Sequence, residues 1–151
     1  MRTVVCACVI ALLIATGSVV AQSQLILPGG VPADPCRDTV ESVVIINQTT
    51  GTQLITGATG TRVYICSLAL VTASAQNLAL VQGTGTVCAT GVAGLMGGAT
   101  AATGFNLAAN QELVIGNGSA AVVWTTANAV NVCLLQSGSG QVSGMIGVQV
   151  R

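Results

Sequence analysis

The sequence predicts an all-β fold: a single two-sheet antiparallel β-sandwich, jelly-roll-like, of about eight strands. Three observations carry that expectation. Short β-branched runs recur at roughly ten-residue spacing with Gly, Asn, Ser and Thr between them, the pattern of a sandwich. Helix-opposing Gly, Thr and Asn interrupt every Ala-rich stretch, so no helix of useful length is expected. No fixed period runs through the Gly and Thr positions, which disfavours a solenoid.

The first 21 residues stand apart. Met1-Arg2 gives a positive start, residues 4–15 are apolar, and Val19-Val20-Ala21 places small residues before Gln22. This is the layout of a cleaved secretory signal peptide. The apolar run falls short of the about 20 residues that a membrane span needs. Residues 22–38 read as a Pro/Gly-rich arm, punctuated by Pro28, Gly29, Gly30, Pro32 and Pro35, with Cys36 pinning its end to the body. Leu25-Ile26-Leu27 is apolar for a solvated tail, and packing on the chain's own domain is favoured over packing on a neighbour. Residues 39–151 form the sandwich domain, long enough after processing for one core.

The strands are justified in order. Residues 39–47 are rich in β-branched side chains, and Gln48 to Gly51 is a polar turn before a short strand over 52–56. Residues 62–71 form the longest candidate, with Val63, Ile65 and Val71 on one face and Tyr64, Cys66, Leu68 and Leu70 on the other. A strand apolar on both faces is expected to be covered on both. Residues 77–82 follow a small-residue turn and read as its hairpin partner. Residues 89–104 read as a long loop with one short strand. Strands at 112–115, 120–126 and 130–136 come next, the first two joined by a Gly116-Asn117-Gly118 hairpin turn. Residues 141–150 close the chain.

Cysteine usage fits export. Cys6 and Cys8 lie in the leader, leaving Cys36, Cys66, Cys88 and Cys133, an even number that reads as two disulfides. Three pairings are possible and the sequence does not choose among them. Metal binding is the weaker reading, because no Cys-x-x-Cys occurs and the chain has no histidine.

Four motifs then occur in order: Thr61-Arg-Val-Tyr-Ile-Cys66-Ser-Leu, Gly83-Thr-Gly-Thr-Val-Cys88-Ala-Thr-Gly91, Asn131-Val-Cys133-Leu-Leu and Gln141-Val-Ser-Gly144, with Asp34-Pro35-Cys36 in front. As a set, spanning residues 34 to 150, they resemble an uncharacterised family of small four-cysteine proteins from phage and environmental bacterial genomes. The resemblance implies a compact β domain of structural, virion-associated character. It brings no active site. The signal peptide departs from the family's virion reading, since virion parts assemble in the cytoplasm, and it points to a secreted, extracellular or periplasmic protein.

Enzymatic chemistry lacks its groups, and no catalytic residue is assigned. Without histidine there is no Ser–His pair, and a cysteine nucleophile has no base. Glu41 and Glu112 are the one conceivable acid pair, without a supporting motif. Asp34, Asp38 and Asn47 offer oxygens to Ca²⁺ but match no calcium loop, so no metal site and no cofactor are expected. The glycine-rich stretch has neither the lysine nor the helix of a phosphate loop.

After leader removal, three arginines face four carboxylates, a net charge of −1. That balance speaks against nucleic acid and anionic lipid as partners. A small domain with so few charges tends to associate. The expected function is a secreted structural or assembly protein forming homo-oligomers, with a trimer suggested by analogy to other jelly-roll assemblies. The alternative is a secreted carbohydrate- or protein-binding module that recognises a glycan or surface protein. Trp124, the sole tryptophan, is its candidate binding residue, although packing in the core or sheet is the preferred reading for it. Tyr64 reads as core.

Overall fold

The computed structural model describes residues 34–38 and 41–151. The signal-peptide reading and most of the arm lie outside the described residues. The chain enters through a four-residue helix, α1 (Pro35–Asp38), and then forms only strands and short turns.

The strands are β1 (Ser42–Gln48), β2 (Thr52–Ile55), β3 (Val63–Thr72), β4 (Gln76–Thr84), β5 (Thr90–Met96), β6 (Phe105–Leu107), β7 (Glu112–Ile115), β8 (Val123–Trp124), β9 (Asn131–Gln136) and β10 (Val142–Val150). The front sheet has the order β1-β10-β3-β7, with β8 also on β3. The back sheet has the order β2-β9-β4-β5, with β6 also on β4. All pairings are antiparallel.

Ten segments reduce to eight strands. β7 pairs with Leu68–Val71 and β8 with Tyr64 and Ile65, so together they form one interrupted strand along β3. β5 and β6 lie in the same way along β4. Successive strands therefore change sheet at every connection except the β4–β5 hairpin. This is jelly-roll topology.

Four local expectations are corrected. Residues 62–71 and 77–82 do not make a hairpin: β3 and β4 belong to opposite sheets, and residues 73–75 turn the corner between them. Gly116-Asn117-Gly118 is not a hairpin turn either, but the start of an excursion between two collinear segments. Of residues 120–126 only Val123–Trp124 pairs as strand; Thr125 is buried and joins Val63 by backbone and hydroxyl hydrogen bonds. Phe105–Leu107 adds a strand too short to announce itself, and residues 90–96 make a fuller strand than expected.

The fourth correction concerns β3. Its register against β10 shifts between Gly147 and Val148, which pair with Ser67 and Ile65 and leave Cys66 as the extra residue of a bulge. The bulge resets the alternation, so Val63, Ile65, Leu68 and Leu70 are all buried in the core. The apparent two-faced pattern of β3 is thus one apolar face with a phase change. The strand buried on both faces is β4: Leu78 and Leu80 join the main core, while Ala79 and Val81 join a second cluster with Cys88 and Cys133.

Two disulfides tie the sandwich from outside, Cys36–Cys66 to β3 and Cys88–Cys133 to β9. The second holds the turn Thr86–Cys88, which folds over the outer face of the back sheet. Val87 (φ 51°) and Cys88 (φ 57°) lie in the left-handed region there, an unfavourable conformation for a β-branched residue. Packing of Val87 on the second cluster and the cross-link maintain it. Replacing Cys88 and Cys133 together with Ala should lower unfolding free energy by about 2–4 kcal/mol. Chemical denaturation followed by circular dichroism checks this, and an unchanged midpoint would show that the turn is held by packing alone.

Candidate functional site

Few charged groups lie in the described structure, and they are dispersed. The Asp34 carboxylate accepts the Cys36 amide at 3.0 Å and the Ala121 amide through both oxygens, at 3.0 and 2.9 Å. It ties the entry helix to the excursion 116–122. Glu41 lies across the outer face of the front sheet and accepts the Ser67 hydroxyl at 3.2 Å. Its carboxylate occupies space that glycine leaves at 118 and 147, where a Cβ would overlap it.

These placements separate the acids considered from sequence. Glu41 sits at Ser67, whereas Glu112 pairs with Val71, four residues or about 13 Å further along the strand. Paired carboxylates of glycoside hydrolysis stand about 5–9.5 Å apart. Asn47 accepts from Gln141 Nε2 at 2.7 Å, at the far end of the front sheet from the Cys36–Cys66 bridge where Asp34 is held. The Asp38 side chain lies outside the described structure. Among the described residues no group of three metal-capable side chains converges.

The surface with a distinct character is the outer face of the front sheet. Ile45 pairs with Met145, Met145 with Ala69, and Ala69 with Val114, a single row across four strands. Ile45 is 71 % exposed, Val114 67 % and Met145 50 %. Ala69 and Val114 of the row, with Leu70, Val71, Glu112, Ser143 and Gly144, line a shallow depression of about 240 Å³.

Further along β3, Tyr64 pairs with Trp124, their ring centroids 6.4 Å apart and the planes tilted by 32°. Trp124 is 48 % exposed and Tyr64 half-buried, so neither is a core residue. The phase change at Cys66 puts Tyr64 outside. Arg62 Nε donates to Asn128 Oδ1 at 3.2 Å on the same strand's lead-in. Comparison with protein-family models, curated proteins and solved structures finds no match to this chain. The surface is therefore read from its own chemistry.

The front sheet's outer face thus carries an apolar row, a shallow dip and an aromatic pair. Sequence reading did not single out Ile45, Met145 or Val114. The available signal was the run Val43-Val44-Ile45-Ile46, apolar on both faces in a strand near the chain's entry. The end of this face near Cys66 is covered by α1, Glu41 and the excursion 116–122. Asp34 anchors that cover, so Asp34→Ala should cost about 1–2 kcal/mol through two unpaired amides. Hydrogen exchange should quicken at Ala121 while β9 and β4 stay protected; unchanged exchange at Ala121 would remove the anchor role.

Proposed function

We propose that this chain is an exported structural subunit that assembles with copies of itself through the bare outer face of the front sheet. The observation that carries the reading is the exposed row Ile45–Met145–Ala69–Val114, continuous over four strands and free of charge. Contiguous apolar patches on small soluble domains mark interaction sites. Two disulfides support an oxidising compartment, and no helix among the described residues is long and apolar enough to cross a membrane. The resemblance to small proteins of phage and bacterial genomes supports the structural part of this reading, and the leader's layout supports an extracellular or periplasmic site of assembly.

A second reading has its own observation. Trp124, half-exposed against Tyr64, offers a flat aromatic surface of the kind on which sugar rings stack, which would suit a secreted carbohydrate- or protein-binding module. Because Trp124 is the sole tryptophan, its fluorescence reports occupancy directly. Emission unmoved by a panel of oligosaccharides, with a silent glycan array, would set the sugar version aside.

The assembly reading is checked by sedimentation velocity of the oxidised protein. At about 100 μM, which populates even a weak dimer, a species larger than the monomer is expected. Met145→Arg combined with Val114→Arg should weaken association at least about tenfold, or about 1.4 kcal/mol, by burying unpaired charge. The thermal midpoint should hardly move, since both side chains face solvent. A wild-type protein that stays strictly monomeric over this range would sink the reading.

A further inference from the structure

The sandwich has four sheet edges among the described residues, and three of them are blunted. β2 is four residues long and its register slips at Leu54. The β5/β6 edge is broken by residues 97–104 and the β7/β8 edge by residues 116–122. β1 differs. It runs seven residues in unbroken register against β10, and among the described residues it pairs on that side only. Ser42–Gln48 holds no charge and no proline, and four β-branched residues stand in succession. Val43 is 57 % exposed, beside the still more open Ile45. A long, regular, uncharged edge is a template for another strand.

We propose that β1 forms a contact of its own between two copies of this chain, pairing antiparallel with β1 of the second copy about a two-fold axis at Ile45. The proposal rests on the reading of the chain as a self-assembling subunit and adds an edge contact to the face contact: the edge joins two copies, and the outer face, then continuous across the pair, is the surface left for further copies. The free edge demands an extended segment that is itself unpaired on one side, because buried backbone amides and carbonyls must be satisfied. On a second copy, among the described residues, only β1 offers such a segment over seven residues. A strand paired with itself about a two-fold axis is isologous, so the contact closes at two copies.

Symmetry selects the direction. In a parallel pair of identical edges the two-fold axis runs along the strands and turns the second sheet over, so its apolar row would lie on the opposite side. In the antiparallel pair centred on Ile45 the axis is normal to the sheet, and position 41 of each copy lies opposite Thr49 of the other. The two front sheets then form one continuous sheet. The two Ile45 side chains meet on its outer face, and the apolar rows of both copies join end to end.

Cysteine cross-linking tests the register. With Ile45 on the axis, the Cβ atoms of Ile45→Cys in two copies are about 5 Å apart, close enough for a disulfide. Val43 faces Asn47 of the second copy, and the two 43 positions are about 13 Å apart. Oxidation of the full chain with diamide should convert Ile45→Cys to a covalent dimer and leave Val43→Cys uncoupled, while Ile45→Lys should dissociate the wild-type dimer in sedimentation. A wild-type oligomer in which Ile45→Cys does not couple and Ile45→Lys changes nothing overturns this contact and leaves assembly standing. A monomer in which the thiol introduced by Ile45→Cys alkylates freely overturns both. A monomer in which that thiol resists alkylation also overturns the proposal, because the chain's own residues before Asp34 would then occupy the edge.

Discussion

The extra residue at Cys66 sets the phase of β3, and the front sheet is organised around that phase. Without it, Val63 and Ile65 would face one way and Leu68 and Leu70 the other, because side chains alternate strictly along a strand. With it, all four enter the core, and Tyr64, Ser67 and Ala69 turn outward. Cys66 itself is left free of the ladder's alternation and becomes the attachment point for the entry helix through Cys36. One inserted residue thus decides the core, the outer face and the covalent tie to the entry segment.

The two sheets solve the same problem in parallel ways. Each has a central strand flanked by an interrupted edge, and each carries a segment folded back over its outer face and fixed by a disulfide. On the back sheet the turn Thr86–Cys88 covers Ala79 and Val81 and is closed by Cys88–Cys133. On the front sheet α1 and Glu41 play this part, fixed by Cys36–Cys66 and by Asp34 on the Ala121 amide. The difference is extent. The back-sheet cover reaches the apolar residues beneath it, whereas the front-sheet cover stops short of Ile45, Met145 and Val114.

Periodicity made the sandwich legible, because turn residues at regular intervals and β-branched runs are local properties. The strand positions follow from them to within a residue or two in most cases. Sheet membership does not. A small-residue turn such as 73–75 serves a hairpin or a corner between sheets equally well, and only tertiary packing chooses. Nor does a bulge leave a composition signal. The run through Cys66 reads as two apolar faces because the sequence does not show where the alternation slips. The four paired cysteines were evident while their partners were not, since pairing is a property of the topology. The apolar row was hidden for the same reason: Ile45, Met145, Ala69 and Val114 come from four distant segments and meet only through strand register.

Edge protection in this chain is geometric because charge is not available for it. The usual guard of an edge strand is lysine, and this sequence has none. Excursions and register slips do the work instead at β2, at β5/β6 and at β7/β8, each breaking the row of free backbone groups before it is long enough to template a partner. Such devices consume chain length and glycine, and their use at three edges makes their absence at the fourth informative. β1 has the length, the regularity and the uncharged surface that the other edges avoid, and it borders the outer face that the described residues leave uncovered. The regular edge and the uncovered face meet at Ile45, so the proposed assembly would take its geometry from both.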